Sequence, residues 1–235
     1  FAAPWVWIFT SVSLLSLALL LVAAPLRADI EEVWRQRADA GGLAVADGTN
    51  AVFVAYTADF ADGAQATTVT REFSGMTLTN NNGRRGFYLA RYDGAGALQW
   101  LRQIGEAPRS PFGGEVFPYS SINRVRMDAN TNLFICGKIA GGSPTTIGTN
   151  SFQSSNYYGA CYIAKLDPQG TVLWARFVTG TDTADFSGLA VDASGNAFVC
   201  GQLYHRQDFG SIIVPNTGGF RPFVAKINGN GDWQW

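Results

Sequence analysis

Charge is scarce in this chain and histidine almost absent. Of its 235 residues only 15% are Asp, Glu, Lys or Arg, with 17 basic against 18 acidic, and His205 is the single histidine. No run of Lys or Arg occurs, so the electrostatic footprint of a nucleic-acid-binding protein is missing. A zinc site needs several His or Cys ligands at suitable spacing, and none stands near His205. A Ser-His-Asp triad would have to use that same histidine, with no Gly-x-Ser-x-Gly elbow beside it. Three cysteines, Cys136, Cys161 and Cys200, are too few for a disulfide framework. What is abundant is apolar side chain (47%) and glycine (27 residues). That mixture buries a sizeable core and suits short strands joined by tight turns.

One phrase recurs three times. It reads Tyr88-Leu-Ala-Arg-Tyr-Asp-Gly-Ala-Gly-Ala-Leu-Gln-Trp100, then Tyr162-Ile-Ala-Lys-Leu-Asp-Pro-Gln-Gly-Thr-Val-Leu-Trp174, then Phe223-Val-Ala-Lys-Ile-Asn-Gly-Asn-Gly-Asp-Trp-Gln-Trp235. A second phrase precedes it each time: Leu43-Ala-Val-Ala-Asp-Gly-Thr-Asn-Ala-Val-Phe-Val-Ala55, Val125-Arg-Met-Asp-Ala-Asn-Thr-Asn-Leu-Phe-Ile-Cys-Gly137 and Leu189-Ala-Val-Asp-Ala-Ser-Gly-Asn-Ala-Phe-Val-Cys-Gly201. Each phrase is two β-prone runs around an Asp/Asn/Gly cluster, the signature of a hairpin. Asp or Asn at the turn start bonds its own backbone, and Gly closes the turn in the left-handed region. Two hairpins per copy predict four strands per copy. Phe87 to Ala90 and Cys161 to Ala164 are apolar at every position, as in strands covered on both faces. Small sheets stacked against one another meet that condition, so the fold predicted is all-β: a β-propeller of four-stranded antiparallel blades, here an incomplete array of about three.

Read for its order of residues, the third copy resembles the bacterial SBBP-type β-propeller repeat: Val191-Asp-Ala-Ser-Gly-Asn-Ala-Phe-Val199, then Phe209-Gly-Ser211, Phe223-Val-Ala-Lys226, Gly231 and Trp235. The first copy departs most, with Ala46 where the others have Asp128 and Asp192. The resemblance implies an exported or surface-associated protein and a propeller, without implying a reaction. Residues 1–28, apolar from 5 to 26, predict a secretory signal peptide cleaved after Ala28, or else an N-terminal anchor. A linker at 29–41 then leads to blade-like repeats at 42–105, 106–180 (with an N-terminal loop extension) and 181–235 (cut short). Three blades do not close, so further blades of the same full-length chain are expected as partners. The location expected is extracellular, cell-surface or periplasmic. Membrane contact is expected only if the leader is retained.

The candidate chemistry is thin. Asp93, Asp128, Asp167 and Asp192 recur, but turn bonding accounts for them, and Asp128-Ala-Asn-Thr-Asn132 lacks the Gly and Glu of a calcium loop. Cys136 and Cys200 read as small buried strand residues, with a Cys136–Cys161 bridge left open. Trp100, Trp174 and Trp235 read as packing between blades rather than a sugar platform. Arg102 and Arg176, two residues beyond their tryptophans, either stack on a ring or line a channel. No catalytic residue, metal or cofactor is predicted. What differs between copies is the links, and function favours loops on a rigid scaffold. The binding candidates are therefore Asn81, Arg84, Arg85, Tyr157, Tyr158, Tyr204, His205 and Arg206, facing a protein or glycan at the cell surface. The function expected is a non-catalytic interaction or scaffold module. The alternatives are a carbohydrate-binding module using loop aromatics, or part of a propeller enzyme with its catalytic residues elsewhere.

Overall fold

The computed structural model describes residues 43–46, 51–58, 69–73, 76–80, 84–107, 120–141, 144–154, 159–215 and 218–235. The expected leader and linker, and Asn81, Tyr157 and Tyr158, lie outside these residues. The described residues form strands and turns and no helix. In chain order the strands are β1 (Leu43–Ala46), β2 (Val52–Ala58), β3 (Val69–Phe73), β4 (Met76–Asn80), β5 (Arg85–Tyr92), β6 (Leu98–Ala107), β7 (Ser121–Met127), β8 (Leu133–Ile139) and β9 (Thr145–Ile147). They continue with β10 (Asn150–Phe152), β11 (Ala160–Leu166), β12 (Val172–Gly180), β13 (Ala184–Val191), β14 (Ala197–Tyr204), β15 (Gln207–Phe209), β16 (Ile212–Val214) and β17 (Phe220–Ile227).

Each copy builds an antiparallel meander. The first sheet runs β1-β2-β5-β6, the second β7-β8-β11-β12 and the third β13-β14-β17, the last ending in a single bridge from Ile227 to Trp233. The turns behave as their Asp and Asn residues require. Oδ1 of Asp93, Asp128, Asp167, Asp192 and Asn228 each accepts two backbone N–H groups, two and four residues on. At Asp192 a further bond from the Asn196 side chain, the largest cause, helps hold the carboxyl below its usual range.

The links add what the repeated phrases did not announce. In the second copy β9 and β10 form a short hairpin that pairs back onto β6, with Gly105 opposite Ile147. In the third, β15 and β16 pair back onto β12, with Thr179 opposite Asp208. The first two sheets therefore have six strands each, and each borrows its outermost two from the following copy. Sheet membership thus crosses the boundaries at 105 and 180 that the repeats suggested. The corresponding first-copy hairpin, β3–β4, forms a two-stranded sheet of its own.

Two apolar layers lie between the sheets. Phe53, Phe87 and Leu89 of the first meet Ile122, Leu133, Ile135 and Tyr162 of the second. Phe134, Cys136 and Ile163, on the other side of the second sheet, meet Phe186, Leu189 and Val199 of the third. Residues 87–90 and 161–164 are buried at every position, as their unbroken apolarity requires. A fully buried side chain such as Ile163 stabilises the stack by ~1.5–3 kcal/mol. Among the described residues no core layer joins the third sheet to the first.

One register differs from the ungapped reading. Phe53 pairs with Arg91 as Phe134 pairs with Lys165 and Phe198 with Lys226. Ala46 pairs with Val52 as Met127 pairs with Leu133. Counted from those pairs, the first copy stands one residue out from an alignment on Asn50. The counterpart of Asp128 is then Asp47, and the apparent loss of an Asp at Ala46 disappears.

Candidate functional site

A row of cations and aromatics crosses each sheet near its turns. In the first sheet Arg91 lies over the Phe53 ring at 5.7 Å, Phe53 meets Trp100 edge-on at 5.9 Å, and Arg102 lies over Trp100 at 5.6 Å. In the second, Lys165, Phe134, Trp174 and Arg176 repeat this at 5.1, 6.0 and 5.7 Å. In the third, Lys226 lies over Phe198 at 5.4 Å and Phe198 meets Trp235 at 6.2 Å. Direct cross-strand pairing explains the alignment, because residues opposite one another share a face. Arg102 and Arg176 are therefore ring-stacked, settling the choice left open by the sequence.

The row grips the next copy. Trp174 Nε1 donates to the Gly229 carbonyl at 3.0 Å, and Arg176 Nε donates to that of Gly231 at 2.7 Å. A Cβ on Gly231 would stand 2.9 Å from Trp174 Cδ2, and one on Gly170 would stand 3.0 Å from Trp100 Cη2. The two tryptophans thus seat on the closing turn of the following sheet. Within the second sheet Lys165 is held by an ion pair, Nζ to Asp128 Oδ2 at 3.5 Å, with the Asp128 side chain 1% exposed. Packing of the tryptophans between sheets was expected from the sequence; the bonds of Trp174 and Arg176 to the Gly229 and Gly231 carbonyls were not, the Trp-x-Arg spacing being the one available signal.

Two other close approaches explain the Cys-Gly pairs. A Cβ on Gly137 would stand 1.9 Å from the Ser121 carbonyl, and one on Gly201 would stand 1.7 Å from that of Asp185. The three thiols are free; Cys136 and Cys161 are buried, whereas Cys200 is exposed, against expectation. Cys136 and Cys161 lie under the third sheet, where the Cys161 thiol donates to the Ala184 carbonyl. The face carrying Cys200 has no fourth sheet upon it among the described residues.

Of the sequence-predicted binding residues, Arg84, Arg85, Tyr204, His205 and Arg206 stand at or just beyond strand ends, where the second strand of a meander leads to the third, away from the Asx turns; Asn81, Tyr157 and Tyr158 lie outside the described residues. Arg84 and Arg85 tie copies together: Arg84 donates to the Pro144 carbonyl and pairs with Glu106 at 3.0 Å, and Arg85 donates to the Ser120 carbonyl at 2.8 Å. Tyr204, His205 and Arg206 are brought together in a tight turn, His205 taking a positive φ of 55°. His205 Nε2 lies 3.8 Å from Asp182 Oδ2, and Arg206 pairs with Asp208 at 3.0 Å. The Tyr204 ring meets Phe220 at 5.0 Å with 43° between planes, and Phe220 is 64% exposed. Sequence reasoning missed Phe220 because its counterparts elsewhere are not aromatic. Among the described residues no three His, Cys, Asp or Glu side chains gather as a metal site would require.

A shallow groove of about 210 Å³ opens beside the last turn, lined by Arg176, Phe209, Gly210, Asp232 and Trp233 among others. Its guanidinium is already engaged by backbone carbonyls. Neither a protein-family model nor a curated protein matches the chain.

Proposed function

We propose that this chain is part of an exported repeat protein of the SBBP type, with its sheets arranged as propeller blades, working by non-catalytic binding as a surface interaction or scaffold module. The carrying observation is a division of labour. Recurring residues of the first two sheets, Trp100, Trp174 and Arg176, are engaged in the junctions with the recurring turns at Gly170 and Gly231. The polar and aromatic groups that differ, Tyr204, His205, Arg206 and Phe220, stand at the opposite end of the sheets. A protein partner suits that patch better than a sugar, because the 43° tilt between Tyr204 and Phe220 offers no flat platform. Export and surface location rest on the apolar segment at 5–26 and on the family resemblance.

The test is binding of the labelled chain to intact bacterial cells, scored by flow cytometry. Tyr204→Ala combined with Phe220→Ser should lower apparent affinity about tenfold or more, as for loss of a contact worth roughly 1.4 kcal/mol or above. Cell binding that is absent, or that ignores the double substitution, would sink this reading.

A further inference from the structure

Arg176 turns its Nη1 back to donate to the Ala175 carbonyl of its own strand, at 3.0 Å. That leaves the fork of Nε and Nη2, which holds two carbonyls of the next copy, Gly231 at 2.7 Å and Asn230 at 3.4 Å. A guanidinium hooked in this way is fixed in orientation and offers two parallel N–H groups to acceptors.

The hook occurs twice more, side by side on β7. Arg124 Nη1 donates to the Asn123 carbonyl at 2.6 Å, and Arg126 Nη1 to that of Val125 at 2.7 Å. Here both forks stand without an acceptor among the described residues. Asp128 is taken by its own turn and by Lys165, and Asp185 of β13 accepts from Asn123 Nδ2 at 3.2 Å.

Neither arginine belongs to the repeated frame. Arg124 and Arg126 pair with Cys136 and Phe134; the residues so placed are Leu43 and Val45 in the first copy, Gly188 and Ala190 in the third. β7 is the edge strand of the second sheet, flanked by β1 and β2 of the first and by β13 of the third. Arg124 is half-buried there and Arg126 exposed. Charge on an edge strand deters pairing with another chain, yet β1 and β13 are edge strands too and carry none at these positions.

We propose that Arg124 and Arg126 together bind an extended acidic peptide, one carboxylate in each fork. Alternate residues of a strand stand about 6.6 Å apart on one face, and Asp or Glu at alternate positions of an extended segment repeats at the same spacing. The hooks occupy the Asn123 and Val125 carbonyls, so the peptide is held by its side chains rather than by adding a strand to β7. The site lies on a different strand from Tyr204 and does not rest on the binding reading given above.

The test is fluorescence anisotropy of labelled hexapeptides titrated with the full chain at low salt. A peptide with Glu at alternate positions should bind. Its Gln analogue, and one with its Glu residues adjacent, should bind at least about threefold more weakly. Arg124→Gln and Arg126→Gln should each weaken binding about threefold or more, and the pair about tenfold or more. Arg126→Lys, at an exposed position, keeps the charge but loses the fork, so it should behave like Arg126→Gln. Melts of the variants check that the sheets persist; if Arg124→Gln perturbs them, the two Arg126 variants decide alone. The proposal falls if the peptides bind alike, or if both Gln substitutions leave binding unchanged. It falls too if Arg126→Lys binds as well as the wild type, since charge alone then suffices. Displacement of the peptide by inorganic phosphate or glutarate at equal concentration would also overturn it, giving the forks to a small anion.

Discussion

Two glycines in equivalent turns, Gly96 and Gly231, separate the cost of backbone strain from that of crowding the junction. Gly96 and Gly231 have φ of 80° and 86°, so an Ala at either meets the same left-handed strain of ~1–2 kcal/mol, partly offset by ~0.4–1 kcal/mol from a less free unfolded chain. Gly96→Ala should therefore cost about 1 kcal/mol, as an added Cβ there touches nothing. At Gly231 the same Cβ stands 2.9 Å from Trp174 Cδ2 and 3.0 Å from Arg176 Nη2, with the ring fixed by its bond to Gly229. Overpacking of that kind costs ~1–3 kcal/mol, and losing the charged bond from Arg176 to the Gly231 carbonyl adds ~1.5–3 kcal/mol where the turn must shift. The difference between the two variants is then about 4 kcal/mol, or about 12 °C in Tm at roughly 3 °C per kcal/mol for a chain of this size. Calorimetric or circular-dichroism melts of both variants measure it. Equal losses would mean that the grip of Trp174 and Arg176 contributes nothing, and the junction account would fall.

Thr131 holds a φ of 61° where the other described turns of this kind use glycine, so Thr131→Gly should raise Tm by about 2–4 °C for a gain of up to ~1 kcal/mol; no gain would show the strain to be relieved some other way. Burial pushes the Cys136 thiol up to about 12 and the Cys161 thiol well above its ordinary range, while Cys200 is exposed. A disulfide reagent at mildly alkaline pH should thus modify one thiol at once and the other two only on unfolding, and simultaneous reaction of all three would contradict the packing. Burial also holds the hydroxyls of Tyr56, Tyr88 and Tyr162 protonated well above the phenol range. The folded state then keeps protons that the unfolded chain releases near pH 10, so stability should fall as pH rises through about 10 and beyond. Denaturant midpoints that stay level across that window would refute it.

The parts legible in the sequence were those fixed by local chemistry. An Asp that bonds its own backbone two and four residues on announces a turn wherever it stands, and the described Asx turns follow that rule. Doubly covered strands at 87–90 and 161–164 were legible for a similar reason, since a strand apolar at every position leaves neither face fit for water. What escaped depends on distant residues. Strands of three residues such as β9 and β15 are too short to show a period, and their partners lie in the preceding sheet. Cys136 and Cys200 have alike neighbours in sequence, a β-branched residue before and Gly after, yet one is covered by the third sheet and the other is not. At the candidate patch, Tyr204, His205 and Arg206 are contiguous, so their grouping needs no fold, while Phe220 joins them only through the pairing of β14 with β17. Arg84 and Arg85 looked like loop cations but bond carbonyls 60 and 35 residues away, which no local pattern reports.

Borrowing strands from the following copy sets a schedule for synthesis. The first sheet's own strands end at Ala107, yet the hairpin that finishes it ends at Phe152, 45 residues later (152 − 107). At ~5–20 residues per second, a ribosome takes roughly 2–9 s to supply them. Through that interval β6 presents an unpaired rim to any strand nearby, including those of neighbouring nascent chains. The second sheet waits in turn for a hairpin ending at Val214. Maturation therefore passes along the chain in the direction of translation, each copy closing the one before it, and a pause between 107 and 152 would prolong the period of greatest exposure to mispairing.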